Sequence, residues 1–182
     1  MFKEQFCLLL SCSLLFLERV RQVLKIKLIC VGKIGEKYLV EGIKEYKKRL
    51  NKYINLDIVE VKDEPLPKKN NDKEIDKIKY IEEEKIKEKL DSNAHIIMLD
   101  LEGKQFTSEE FAQKIKEFEN TGINKINIII GGTMGFTNVF KEEADTLISF
   151  SKMTFPHQLM RLILLEQIFR AFKINKNEPY HT

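Results

Sequence analysis

Ile126-Asn127-Ile128-Ile129-Ile130 is the clearest strand pattern in the sequence, and Gly131-Gly132 follows it directly. Four isoleucines in five positions indicate a strand that is buried on both faces, which is typical of the centre of a parallel sheet. β-Branched side chains also favour the extended backbone of a strand. The stretch therefore predicts a parallel sheet with helices on both of its faces.

On the amino-terminal side of this strand, the sequence alternates between strand and helix patterns. Strands are predicted at 25–31, 56–61 and 94–99, and helices at 36–52, 72–90 and 107–119. The bounds follow from the spacing of apolar residues and from the positions of glycine and proline. The alternation predicts an α/β fold whose ligands bind at the carboxyl ends of the strands.

Local signals add detail to these elements. Gly103 is expected to turn the chain after the strand that ends at Asp100, and Thr107 with Glu110 forms the pattern of a capping box. The charged residues within the helix at 72–90 are interpreted as a solvated face rather than as a binding surface.

Three loops follow predicted strands and would meet at one edge of the sheet. They are residues 98–103, 131–135 and 150–156. The loop at 131–135, called the glycine loop here, lacks the spacing of a dinucleotide fingerprint and of a P-loop. A plain turn is therefore an alternative for this loop taken alone. Three converging loops would instead form a ligand site, because glycine lets the backbone approach a ligand closely.

The helix that follows Pro156 is apolar almost all the way round. Such a helix needs burial by its own domain on one side and by a partner on the other, so we infer a homodimer. At helical spacing, His157 and Arg161 share one face, while Glu166 and Arg170 lie on the opposite one. A structural ion pair is the alternative interpretation for Glu166 and Arg170.

Composition narrows the possible functions. The chain has 182 residues and a formal charge of +3, and its basic excess lies in its two ends. This distribution suits either a phosphate-binding rim or ordinary surface lysines. Three separate cysteines without a Cys-x-x-Cys pair, and three histidines, predict neither metal nor disulfides and fit a reducing cytoplasm.

Residues 1–23 are expected to be an N-terminal extension that is not part of the working protein. The apolar run at 6–17 is shorter than the roughly 20 residues of a membrane-spanning helix. It also lacks the flanking residues of a signal peptide, since Glu4 offsets Lys3 and no small-residue cleavage site follows. We expect translation to start at Leu24, read as methionine from a non-standard codon. The intact mass of the native protein tests this, and a mass that includes residues 1–23 would contradict it.

Several segments together carry a family resemblance. They are Leu99-Asp100, Ile130-Gly131-Gly132-x-x-Gly135, Ser149-Phe150-Ser151-Lys152-Met153-Thr154-Phe155-Pro156-His157-Gln158, Arg161, Glu166-Gln167, Arg170-Ala171-Phe172 and Tyr180-His181. These segments resemble the ribosomal RNA large subunit methyltransferase H family of the SPOUT superfamily. The resemblance covers residues 24–182 as a single domain, and residues 1–23 have no counterpart. Thr182 departs from the family pattern, which has a basic residue after Tyr-His, and puts a phosphate contact there in doubt.

The resemblance implies a fold, a cofactor and a reaction. The fold is a parallel-sheet α/β SPOUT fold with a C-terminal trefoil knot, in a homodimer that binds S-adenosylmethionine in the knot. The reaction is methylation of N3 of a pseudouridine in the helix 69 loop of 23S rRNA in the assembled 70S ribosome, without a metal or a membrane. The implied cofactor contacts are Leu99, Gly131, Phe150, Ser151, Lys152, Met153, Thr154 and Phe155.

Catalytic candidates follow from the chemistry of such a transfer. The nucleophile must be held in line with the methyl group, and its proton must be removed. His157 and His181 are candidates for the base, Arg161 for a nearby cation, and Tyr180 can stack on a nucleobase. Two other classes stay open: an RNA-binding ribosome factor that has lost the reaction, and a nucleotide-binding enzyme that acts on small molecules.

Overall fold

A computed structural model of the chain describes residues 23–67 and 71–179. Five parallel strands form one sheet in the order β2-β1-β4-β3-β5. The strands are β1 (Lys25–Val31), β2 (Asn55–Val61), β3 (His95–Gln105), β4 (Lys125–Ile130) and β5 (Thr146–Ser149). The helices are α1 (Lys37–Leu50), α2 (Asp72–Lys87), α3 (Ser108–Thr121), α4 (Asn138–Glu142) and α5 (His157–Asn175).

Strand β4 lies at the centre of the sheet, as its isoleucines predict. It pairs with β1 on one side and with β3 on the other. Ile128 faces the core formed with α1, α3 and α5, while Ile129 faces a second core that includes Ile86 of α2 and Phe140 of α4. Both faces of the sheet are therefore covered, and the predicted α/β parallel-sheet fold is confirmed. The strand order is consistent with a knot, whose threading stays a prediction.

Strand β3 differs from the prediction at Gly103. The strand continues to Gln105, and an irregularity makes both Leu99 and Lys104 pair with Ile148 of β5. Gly103 lies inside this irregularity, where an added Cβ would come within 2.5 Å of the backbone of Ile148. The glycine therefore permits close approach of two strands, and the strand does not end at Asp100 as predicted.

The interpretation of the charges in α2 as a solvated face is wrong for two residues. Glu82 and Glu83 are only 5% and 4% exposed. Each carboxylate accepts a backbone N–H, Glu82 from Glu64 and Glu83 from Thr137. Their burial follows from these bonds, because a buried acceptor is stabilised only when it finds a donor. The capping box of α3 between Thr107 and Glu110 is confirmed.

Helix α5 packs its Leu164, Leu165 and Ile168 into the core that it shares with α1 and α3. Leu162 contacts Gly42 of α1, and Ile163 keeps partial exposure. The partner expected on the outer side of α5 stays a prediction. The predictions for residues 1–22 and for Tyr180, His181 and Thr182 lie outside the described residues. Within the described ranges, no helix has the length and apolar character needed to cross a membrane.

Candidate functional site

The three predicted loops meet in a cavity of about 560 Å³, called the first cavity here, at the carboxyl ends of β3, β4 and β5. The predicted convergence is therefore confirmed. Seven of the eight expected cofactor contacts line it: Leu99, Gly131, Phe150, Ser151, Met153, Thr154 and Phe155. The eighth, Lys152, is exposed on the same loop and does not line the cavity.

The glycine loop forms one wall of the first cavity. Gly135 has φ +70° and donates its N–H to the carbonyl of Gly132 at 3.1 Å, which makes a tight turn. A Cβ at Gly131 would lie 2.7 Å from the ring of Phe136. The backbone of the loop thus forms a plain turn, as the alternative interpretation had it. The turn also forms part of the cavity wall, and Phe136 leaves no room for a side chain at Gly131.

The loop after β5 forms a second wall and is stabilised by its own hydroxyl groups. Ser149 donates its hydroxyl to the carbonyl of Ser151 at 3.1 Å, and the backbone N–H of Met153 donates to Oγ of Ser151 at 2.9 Å. The side chains of Met153 and Phe155 are exposed where they line the cavity. They offer apolar surface to a planar ligand, while the loop backbone offers hydrogen-bonding groups.

A charged cluster lies on the β3 side of the first cavity. The ammonium of Lys141 in α4 binds Asp100 at 3.0 Å and Glu102 at 2.8 Å, and all three residues line the cavity. Burial alone would lower the pKa of Lys141, but its hydrogen bonds to Glu102 and Asp100 outweigh burial, and the pKa is raised. Lys141 therefore stays protonated and ties α4 to the irregular part of β3.

Glu83 of α2 binds Thr137, which follows the glycine loop, a role that the sequence interpretation missed. Its carboxylate accepts the backbone N–H of Thr137 at 2.6 Å and the Thr137 hydroxyl at 3.0 Å. Thr137 is the N-cap of α4 and follows Phe136, whose ring packs against Gly131. The support thus extends from α2 to the wall of the first cavity.

Replacing Glu83 with alanine is expected to lower the free energy of unfolding by about 1–3 kcal/mol, because the N–H and hydroxyl of Thr137 lose their buried acceptor. Urea denaturation measures this change. Glu84→Ala, one position further on the exposed side of α2, is the matched control and should change stability by less than about 0.5 kcal/mol. Equal effects of the two substitutions would contradict the supporting role of Glu83.

His157 begins α5 and lines the first cavity. Burial, and then the positive charge of Arg161, lower the pKa of His157 below its ordinary value of 6.5. The imidazole is therefore neutral at neutral pH and able to accept a proton. Its position and charge state both suit the role of a base.

Arg161 lies away from the first cavity, although it shares a helix face with His157. It is 1% exposed, and its guanidinium binds Glu60 at 2.9 Å and the carbonyls of Val31 and Gly32 at 2.8 Å each. These bonds attach α5 to the ends of β1 and β2. Arg161 therefore positions the start of α5, and its positive charge acts on the neighbouring His157.

A second cavity, of about 450 Å³, lies beside the first one, at the carboxyl ends of β1 and β2. Residues 132–134 line both cavities and form the wall between them, and His157 also lines both. Arg161 and Glu82 line only the second cavity. The sequence predicted no site here, because the loops after β1 and β2 carry no recognisable ligand motif.

The far end of α5 carries the chain away from both cavities. The alternative of an ion pair between Glu166 and Arg170 is confirmed, with a separation of 2.6 Å. Glu178 accepts the hydroxyl of Tyr53 at 2.7 Å and the ammonium of Lys173 at 3.0 Å. Tyr53 lies two residues before the start of β2, so the described chain ends near the amino end of that strand.

The remaining thiol and imidazole of the described residues occupy structural positions. Cys30 is buried in β1, where desolvation raises its pKa to about 12. His95 faces Thr146 at 2.9 Å, and burial lowers its pKa. In the described part of the chain, no group of three His, Cys, Asp or Glu side chains is placed to hold a metal ion.

Comparisons with known proteins agree on one family. A sequence model described as "Predicted SPOUT methyltransferase" matches residues 24–181. The Ribosomal RNA large subunit methyltransferase H of Natranaerobius thermophilus is 58% identical over 158 residues, which are 87% of this chain and 99% of that protein. The proteins of the same name in Bifidobacterium adolescentis and Enterococcus faecalis are 52% and 45% identical with the same coverage.

A solved structure shares the fold at low sequence identity. It is a probable methyltransferase from Bordetella pertussis Tohama I, which is 10% identical and gives a TM-score of 0.50. The alignment covers 83% of this chain and 96% of that chain. At this identity, the likeness concerns the fold alone.

Proposed function

The chain belongs to the ribosomal RNA large subunit methyltransferase H family of SPOUT methyltransferases, and we propose that it transfers a methyl group from S-adenosylmethionine to rRNA. The acceptor is N3 of a pseudouridine in the helix 69 loop of 23S rRNA, in the assembled 70S ribosome of the cytoplasm. The convergence of three loops on the first cavity, with seven of the eight expected contacts on its walls, is the observation that carries the proposal.

The first cavity fits S-adenosylmethionine in size and in chemistry. Its volume of about 560 Å³ lies in the range of small-molecule sites. Exposed Met153 and Phe155 can cover an adenine ring, and the backbone of the loop at 150–156 offers hydrogen-bonding groups beside them. The bound cofactor would supply an activated methyl group on its sulfonium. The residues of the chain have to hold the acceptor in line and accept its proton.

His157 is the base in this proposal. It lines both cavities, so it can reach a group that lies between them. Its neutral imidazole accepts the N3 proton as the methyl group is transferred, a contribution of typically about 10²- to 10⁴-fold in rate. Arg161 acts indirectly, because its nearby charge disfavours the protonated imidazole.

The pH dependence of methyl transfer tests this pair. A base with a lowered pKa stays deprotonated until the pH falls below its ordinary value, so kcat/KM should decline only below about pH 6.5. Arg161→Gln removes the positive charge, so the pKa of His157 should rise and the decline should move to higher pH. Calorimetric titration with the cofactor confirms that this variant is folded. A decline at an unchanged pH would contradict the coupling of Arg161 to His157.

Tyr180 and His181 act in the site of the other subunit of a homodimer. Helix α5 has 19 residues and is therefore about 28 Å long, and it leads from His157 at the cavities to the opposite end of the sheet. Tyr180 and His181 follow Pro179 directly, and two residues can span at most about 7 Å. The tail of a chain is thus too short to reach the cavities of the same chain, which supports action across a dimer interface.

Transfer of tritium-labelled methyl groups tests the proposed function. Ribosomes that lack the modification should accept label from the purified protein, while naked 23S rRNA should accept little. His157→Gln should reduce the rate by about 10²- to 10⁴-fold. Cofactor binding without transfer would indicate an RNA-binding factor that has lost the reaction, and preferred labelling of naked rRNA would contradict the assembled ribosome as substrate.

A further inference from the structure

The second cavity lies where an acceptor of the methyl group would have to lie. It shares the wall of residues 132–134 with the first cavity, and His157 opens onto both. A nucleophile bound in the second cavity would therefore lie next to a methyl group carried in the first. Its volume of about 450 Å³ is sufficient for a nucleoside.

Glu82 places an incompletely bonded carboxylate in this cavity. Its Oε1 accepts the N–H of Glu64 at 2.9 Å, whereas no donor among the described residues reaches Oε2. That second oxygen lies against the shared wall, since a Cβ on Gly132 would come within 2.6 Å of it. Burial raises the pKa of Glu82, and the charges of Asp63 and Glu64 act in the same direction, against Lys85. This oxygen faces the second cavity and is free to accept a hydrogen bond from a ligand bound there.

Other groups of the second cavity complement a planar ligand. Arg161 lines the cavity, and its Nε–H is buried without an acceptor in the described part of the chain. The ring of Tyr38, which is 65% exposed, also lines it and offers a stacking surface. The cavity thus offers the free oxygen of Glu82 and an aromatic face, while the buried Arg161 forms part of its wall. A uracil-type base carries an N–H on a planar ring and matches both features.

We propose that the second cavity binds the target base and that Oε2 of Glu82 accepts the N1–H of pseudouridine. This inference rests on the proposed function and names the residue that would select the substrate. Pseudouridine is joined to its ribose through C5, so its N1 carries a hydrogen. A uridine held with the same ribose and N3 positions presents its C5–H at that place, and the buried carboxylate stays unpaired. Sites that lose such a bond reject the analogue strongly.

Methylation of two matched substrates tests the assignment. The substrates are ribosomes that carry the pseudouridine and ribosomes from a strain without the pseudouridine synthase, which carry uridine at the same position. In Glu82→Gln, the amide oxygen can keep the bond to Glu64, so the amide nitrogen faces the base with a donor. We expect kcat/KM for pseudouridine to fall by about 10- to 100-fold, while kcat/KM for uridine stays within about 2-fold. The preference for pseudouridine should therefore collapse.

Controls separate this role from a structural one. Glu84→Gln, on the exposed side of α2, should keep the preference of the unsubstituted protein. Calorimetric affinity for S-adenosylmethionine should be unchanged in Glu82→Gln. If that variant does not fold, Glu82→Asp keeps the charge, withdraws the oxygen and should weaken the preference in the same direction.

The outcomes distinguish the inference from the proposed function. An equal loss on both substrates, or an unchanged ratio of the two kcat/KM values, would overturn the role of Glu82 and leave the methyl transfer standing. If the unsubstituted protein methylates neither substrate, the proposed function fails, and the assignment of the base site fails with it.

Discussion

A chain that lacks residues 179–182 is expected to bind S-adenosylmethionine as tightly as the full chain and to lose methyl transfer by at least about 10²-fold. The deletion removes Tyr180, the proposed stacking group, and His181, which acts beside it in the site of the other subunit. It leaves the first cavity intact, because Pro179 does not line this cavity and lies beyond the end of α5 that is remote from His157. Calorimetry of cofactor binding and single-turnover transfer measure the two quantities separately.

Mixed dimers show which subunit receives the tail. A chain that lacks residues 179–182 keeps its cavities, and a chain with Gly131→Val keeps its tail but has a side chain where the ring of Phe136 leaves no room. Each variant alone should be inactive, while their mixed dimer should regain one active site of two. Turnover by the shortened chain alone would refute the role of the tail. A mixed dimer without activity would contradict action across the interface.

The second large effect is expected from Gly103→Ala, which should lower the free energy of unfolding by about 1–3 kcal/mol. The added Cβ meets the backbone of Ile148 at 2.5 Å, and a backbone in a paired strand cannot move aside as a side chain can. Strands β3 and β5 also hold two walls of the first cavity, so the affinity for S-adenosylmethionine should fall as well. Urea denaturation and calorimetry measure these changes.

Gly35→Ala is the matched control for this substitution. No heavy atom lies within 4 Å of the position that its Cβ would take, and its φ lies outside the left-handed region. We expect a change in stability of less than about 0.5 kcal/mol. A similar loss in both variants would show that the contact with Ile148 does not decide the result.

The sequence predicts the parts of the fold that depend on local pattern. The isoleucines of 126–130 identify the central strand, since burial on both faces leaves a continuous apolar run. The excursion of β3 could not be predicted, because Gly103 has the same local signal in a turn as in a close approach of two backbones.

The burial of Glu82 shows a second limit of sequence patterns. Glu82 lies four residues from both Ile78 and Ile86, so it falls on the apolar stripe of α2. This spacing is a signal that could have identified it. The surrounding charges, however, favour a solvated helix, and the backbone donor at Glu64 that makes burial possible comes from another part of the chain.

The candidate site could be predicted from the rule that ligands bind at the carboxyl ends of parallel strands, because all three loops lie at these ends. The role of Arg161 could not be inferred from its helix face alone. Helical spacing places it beside His157, but only the fold shows that the carbonyls of Val31 and Gly32 bind its guanidinium. These contacts between residues far apart in the sequence give Arg161 its positioning role.

Methylation of pseudouridine in helix 69 can be measured by nucleoside mass spectrometry of 23S rRNA. Ribosomes that lack the modification are first incubated with the purified protein and S-adenosylmethionine. We expect the helix 69 fragment to gain the mass of one methyl group and to release N3-methylpseudouridine on digestion. A helix 69 fragment without added mass, or a methyl group on another nucleotide, would contradict this expectation.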